Sequence, residues 1–161
     1  MSELIAPVIL ICAVIVFFYL RSNLSSDAAK ENIRIGEEFL KLNKLNDGVV
    51  ETKTGLQYKI LSTGNGQIHP NSSGRIQVNF QGRLLDDTVF DSCINGEETT
   101  GLGLKQLIAG WREGLQLMVV GEKTRFFVPS KLAYGNQSHG KIKAGSLLIF
   151  DIELLSINDK T

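Results

Sequence analysis

Three rhythms of apolar and polar residues divide the chain. Residues 4–20 carry no charge and are almost wholly Leu, Ile, Val, Ala and Phe. After a polar joint, Ser22 to Ser26, apolar positions recur at helical spacing: Ile35, Phe39 and Leu42 stand at i, i+4 and i+7, with Leu45 extending the stripe. Ser26 or Asp27 can cap this helix, which runs to about Asn46, and Gly48 is a stop. From Gly55 onward the period falls to two. Leu56 to Leu61 reads as a strand, closed by the turn-rich Ser62-Thr63-Gly64-Asn65-Gly66. In 75–85, Ile76, Val78 and Phe80 alternate with Arg75, Gln77, Asn79 and Gln81, the mark of a half-buried antiparallel strand. Asp86-Asp87 turns the chain back into Val89-Phe90-Asp91. Lys123 to Val128 is a strand stopped by Pro129, and Leu148, Phe150, Ile152 and Leu154 mark the inward face of the last one. One helical pattern, Lys105 to Met118, lies among these strands. One helix against an antiparallel sheet gives an α+β domain with its core at the sheet–helix interface.

The apolar stretch 4–20 would reach roughly 25 Å as a helix, the short end of a bilayer span. Pro7 falls in its first turn, and Phe17, Phe18, Tyr19 and Arg21 read as an interfacial belt and a stop. A cleaved signal peptide fits less well, because Glu3 replaces the usual basic start and the run exceeds the usual length of about 7–15 residues. A buried core helix fits worst, because so small a protein has little to cover it on all sides. The expectation is a single-pass protein of the bacterial inner membrane, anchored through 4–20. Arg21, Lys30 and Arg34 follow the span with no basic residue before it, which favours a cytoplasmic domain. The divisions expected are an anchor over 1–21, a joint and amphipathic helix over 22–47, and a domain over 48–161. The stripe of the 27–46 helix either packs on that domain or on lipid headgroups, or forms a dimer contact.

Composition removes several functions. Lys+Arg and Asp+Glu both number 17, leaving no basic excess for nucleic acid. Cys12 and Cys93 are too few and too badly placed for a disulfide framework. His69, His139 and Cys93 lack metal-ligand spacing, so no metal or cofactor is expected. Ser138-His139 has no orienting acid in view, and Gly64-Asn65-Gly66 opens no βαβ unit.

What remains is one carboxylate, Asp91, set among apolar and aromatic residues. Val89-Phe90-Asp91-Ser92, Leu107 to Met118 (LIAGWREGLQLM), Gly121-Glu122, Val128 to Gly135 (VPSKLAYG) and Leu147 to Ile157 (LLIFDIELLSI), in this order, resemble the FKBP-type peptidyl-prolyl cis–trans isomerases. The match runs from about Thr54 to Ile157. Phe39-Leu40, Gly48-Val49-Val50 and Thr54 to Tyr58 look like the lead-in of the Mip-like bacterial branch, many of whose members work in the periplasm or at the cell surface.

The resemblance implies an antiparallel β half-barrel wrapped around one short helix, here preceded by a transmembrane helix and an amphipathic linker helix. It implies Trp111 as the pocket floor, Phe80, Phe90, Phe150, Leu107 and Ile108 as walls, and Ile142 as a cap. Tyr134 would offer its hydroxyl to a substrate carbonyl, the Ile108 N–H would bond the substrate chain, and Asp91 would be a buried acid beside the amide. The implied partners are proline-containing polypeptides and macrolides of the tacrolimus and rapamycin type. Three departures stand out. Phe80 replaces a Tyr that commonly bonds the acid, the segment Asn95 to Gly103 is shortened, with Glu98 in the region of a common aromatic, and Lys143-Ala144 stands where Pro-Pro is common.

An X–Pro bond rotates slowly because amide resonance raises a barrier of roughly 18–20 kcal/mol. An apolar pocket that binds the twisted, less dipolar amide better than the planar one accelerates rotation. Asp91 then either stabilises the rotating amide or ties down its neighbouring loop. The function expected is isomerisation of X–Pro bonds in support of protein folding; the alternative is a catalytically weak binding or chaperone module.

Overall fold

The computed structural model describes residues 26–94 and 102–158. The first helix, α1, covers 26–43. The strands that follow are β1 (Val49–Glu51), β2 (Gln57–Ser62), β3 (Arg75–Arg83), β4 (Val89–Cys93), β5 (Leu102–Gly103), β6 (Lys123–Val128) and β7 (Leu148–Ile157). Helix α2 (Ala109–Leu115) and two short 3-10 turns, Leu104–Gln106 and Ser130–Leu132, complete the described elements. All strands pair antiparallel in the order β1-β2-β6-β7-β3-β4, and β5 pairs with the start of β3. This is an antiparallel sheet with few helices, as the alternation from residue 75 onward requires.

The inward sides of β3, β6 and β7 supply Ile76, Val78, Phe126, Val128, Leu148, Ile152 and Leu154, and α2 adds Trp111 and Leu115. The helix lies flush on β6 because its contact face has no side chains. A Cβ at Gly110 would stand 2.5 Å from Val128 Cγ1, and one at Gly114 2.6 Å from Phe126 Cζ. Two glycines four residues apart share one helix face, so backbone meets sheet directly there. The helix is shorter than the pattern over 105–118 suggests. Leu107 and Ile108 are extended, which frees both side chains from the helical stripe.

On the outer face, Arg125 and Asp151 sit opposite each other in the β6–β7 pairing. The guanidinium donates from Nε to Oδ1 at 2.5 Å and from Nη2 to Oδ2 at 2.7 Å. Burial opposes ionisation of Asp151, but these hydrogen bonds and the charge of Arg125, with Arg83 and Lys123, outweigh it. Its carboxyl is held below the ordinary value.

Helix α1 corrects two expectations. Its stripe of Ile35, Leu42 and Leu45 faces solvent, 41%, 70% and 77% exposed, while Ala29, Gly36, Leu40 and Asn43 face the sheet. Only Phe39 of the expected stripe packs inward, against Phe127 at 5.7 Å between ring centroids. Small and polar residues are buried because Ala29 meets the Gly145 backbone, Gly36 meets Leu147, and Asn43 donates to Gln57. The second correction concerns the membrane. Among the described residues no helix is long and apolar enough to cross a bilayer, and the stretch 4–20 lies outside them. α1 itself carries Lys30, Glu31, Arg34, Glu37, Glu38 and Lys41, charges too costly to bury in hydrocarbon. The expectation of a single-pass membrane protein is corrected accordingly. Cys93 is a free thiol; Cys12 lies outside the described residues.

Candidate functional site

Two cavities flank the segment 129–136. The smaller, about 420 Å³, is lined by Phe80, Phe90, Asp91, Leu107, Ile108, Trp111, Tyr134 and Phe150, together with Cys93, Leu102 and Gln106. The larger, about 500 Å³, lies under α1 and is lined mainly by glycines, lysines and aliphatic residues. We place the candidate site in the smaller one, because it gathers the aromatic rings and the acid.

Trp111 is 5% exposed and sits where α2 meets the sheet. Phe80 and Phe150 meet it edge-on, at centroid distances of 5.1 and 5.2 Å and interplanar angles of 83° and 86°. Phe90 meets Phe150 the same way, at 5.5 Å and 86°. Edge-to-face contacts set a positive ring edge against a negative face, so each ring fixes the next. The indole Nε1 is buried and has no hydrogen-bond partner among the described residues.

Phe90 owes its place to a bulge. Gly82 pairs with Asp91 and Arg83 with Val89, which leaves Phe90 as the extra residue of β4 and swings its ring over β3. A Cβ at Gly82 would stand 2.6 Å from the Phe90 ring and 2.9 Å from Phe150 Cε1. Gly82 is therefore part of the site's construction. The signal for it was present, since a glycine inside an alternating strand marks a close approach.

Tyr134 follows Pro129 and the 3-10 turn Ser130–Leu132. Its ring stacks on His139 at 4.8 Å and 15°. His139 and Ile142 exchange backbone hydrogen bonds of 2.8 and 2.9 Å, and Lys141 Nζ donates to the Val89 carbonyl at 3.2 Å, joining the long loop to β4. Ile108 is the N-cap residue of α2, so its N–H lies outside the helical ladder.

Two expectations about side chains change. Asp91 is exposed, because β4 is the last strand of the sheet path; it lines the cavity from the rim and is not a buried acid. Ile142 is 4% exposed within the main core and is not among the lining residues, so it supports the wall from behind. Cys93, Leu102 and Gln106 join the lining unannounced. Cys93 shares the face of Asp91 by strand alternation, whereas Leu102 and Gln106 come from pre-helix residues whose pattern carries no regular period. No group of three or more His, Cys, Asp or Glu residues that would hold a metal ion occurs among the described residues.

Comparison with known proteins places this geometry. The model of the FKBP-type peptidyl-prolyl cis–trans isomerase matches residues 66–155, and that of the domain amino-terminal to it matches 18–60. The FKBP-type isomerase FkpA of Aeromonas hydrophila is 46% identical over 129 residues, covering 80% of this chain and 48% of that protein. The outer membrane protein MIP of Legionella longbeachae is 42% identical over 130 residues, covering 80% and 55%. The chain spans about half the length of the curated relatives it matches. The crystal structure of FkpA from Escherichia coli superposes with a TM-score of 0.74 at 33% identity, over 83% of this chain and 62% of that one. A peptidyl-prolyl cis–trans isomerase from Pseudomonas syringae gives 0.73 at 31% identity, over 81% and 96%.

Proposed function

Because the chain belongs to the FKBP-type peptidyl-prolyl cis–trans isomerase family, we propose that its aromatic cavity binds X–Pro segments and accelerates their rotation. The observation that carries this is the set of three edge-on contacts that holds Phe80, Trp111, Phe150 and Phe90 in one wall. A proline ring resting on Trp111 would bring its preceding amide into a space walled by Phe80, Phe90 and Phe150. A bound segment would displace water from that space. The planar amide, with charge on its oxygen, loses solvation there; the twisted amide, with less charge separation, loses less. That difference lowers the rotational barrier, and each tenfold of rate needs only about 1.4 kcal/mol. In this reading Tyr134 donates to the substrate carbonyl, the Ile108 N–H bonds the substrate chain, and Asp91 acts from the rim through its charge. The same cavity would take macrolides of the rapamycin type. The exposed stripe of Ile35, Leu42 and Leu45 would serve as a dimer contact.

Isomerisation of a short X–Pro peptide, followed by NMR exchange on the full chain across several X residues, tests the proposal. Exchange that speeds up with protein and stops on adding rapamycin is expected. A second reading keeps a specific basis: Phe80 has no hydroxyl to engage an acid, and Asp91 is exposed. Peptide binding without acceleration would establish a recognition module.

A further inference from the structure

Resting on the isomerase reading, we propose that the first turns of α1 brace the site, with Asn32 a positioning residue for the wall that carries Tyr134. Asn32 Nδ2 donates to the Ala144 carbonyl at 2.8 Å, across 112 positions of sequence. At the next residue, Gly145 (φ +79°), any Cβ would collide with the Ala29 carbonyl oxygen. The helix therefore grips the long loop by a hydrogen bond and a backbone-to-backbone contact. From there the loop is internally tied. Ala144 N donates to Ser138 Oγ at 3.2 Å, and Gly145 N donates to the Gly135 carbonyl at 2.8 Å. His139 and Ile142 are joined by their paired backbone bonds, and His139 stacks on Tyr134. A short series of contacts thus runs from α1 to the aromatic cavity.

These few contacts matter because a cavity interrupts the packing beside α1. Under its middle lies the 500 Å³ cavity, bordered by Ile33, Gly36 and Leu40 on one side and by Pro129, Gly135 and Leu147 on the other. Gly36 meets Leu147 at the cavity's edge, so the helix is held at separate points along its length. Its far end is held separately, by Leu40 in the small cluster with Phe127 and Leu147 and by Asn43 Nδ2 donating to Gln57 Oε1 at 2.8 Å. Removing the Asn32 amide frees the loop while that far anchor stays.

The test compares Asn32→Ala with Leu40→Ala in the full chain. Turnover of an X–Pro peptide is measured as separate kcat and KM, with hydrogen exchange of the amides in 138–145. For Asn32→Ala we expect KM to rise about fivefold with kcat within about twofold, the scale of one lost hydrogen bond, and faster exchange at Ala144 and Gly145. Leu40→Ala is expected to lower Tm more, yet leave KM and loop exchange as in the wild type. Unchanged KM and loop exchange in Asn32→Ala would overturn the proposal, as would an equal rise of KM in both variants, which is general loosening. A wild-type chain without turnover would defeat the isomerase reading instead, and loop exchange would then decide the role of Asn32 alone.

Discussion

The two cavities on either side of the segment 129–136 differ more in their walls than in their size. The cavity under α1 is the roomier, yet its lining holds no aromatic ring. The other is walled by rings that fix one another through edge-on contacts, set close by Gly82 and by α2 lying flush on β6. Walls of mutually fixed rings, more than volume, mark the candidate site.

Glycine substitutions probe that difference most strongly. Gly114→Ala drives a methyl into the fully buried Phe126 ring, and we expect a loss of about 3 kcal/mol in chemical denaturation. Gly36→Ala on the other side brings a methyl to 3.1 Å from Leu147 Cβ, but Leu147 borders open space. The gain in helix propensity, about 1 kcal/mol, offsets that contact, so the net change should stay within about 0.5 kcal/mol. Equal losses at the two sites would erase the distinction. Next in size, Trp111→Leu should keep the circular dichroism spectrum while lowering kcat/KM about 30-fold, roughly 2 kcal/mol of barrier. A smaller effect is expected at the rim: Asp91→Leu should lower kcat about tenfold, or about 1.4 kcal/mol, with peptide KM nearly unchanged. Because Asp91 is exposed, its Tm should hold; a fall in Tm matching the fall in turnover would favour the loop-tying reading.

The outer face supplies the mildest test. A carboxyl held below its ordinary value stabilises the fold fully above the unfolded value, about pH 4, and that contribution disappears as pH falls through the folded value. Asp151→Asn should cost about 1 kcal/mol at neutral pH and leave stability less sensitive to acid below about pH 4. Turnover per folded molecule should not move. A change in KM would show that the outer ladder reaches the cavity.

The inward faces of β3 and β7 could be read from sequence because alternation has a period that only a one-sided sheet satisfies. Lys123–Val128 even keeps its limits, bounded by Pro129. The pocket rings were found through motif resemblance, and Phe80, Phe90, Trp111 and Phe150 line one cavity. Other features had no such signal. The buried side of α1 is set by what it meets, Gly145 at Ala29, Leu147 at Gly36 and Gln57 at Asn43, which leaves Leu42 outside; hydropathy ranks these positions the other way. Leu107 and Ile108 fit a helical stripe in spacing, yet the cavity wall needs them extended. The exposure of Asp91 follows from β4 being the end of the sheet path, a fact of pairing order. β1 and β5 are too short for any period to show.

The place of β7 has a consequence for how the molecule is made. The last described strand lies in the middle of the sheet, between β6 and β3. During synthesis β6 and β3 have no partner to join them until Ile157 has left the ribosome, so the core cannot close progressively from the N-terminus. Pairing Ile76 with Ile157 closes a loop of most of the domain, an entropic cost that slows folding. Until then two apolar strand edges stand open to other chains. A nascent copy is therefore itself a partly folded chain with open strand edges until its last described strand is made.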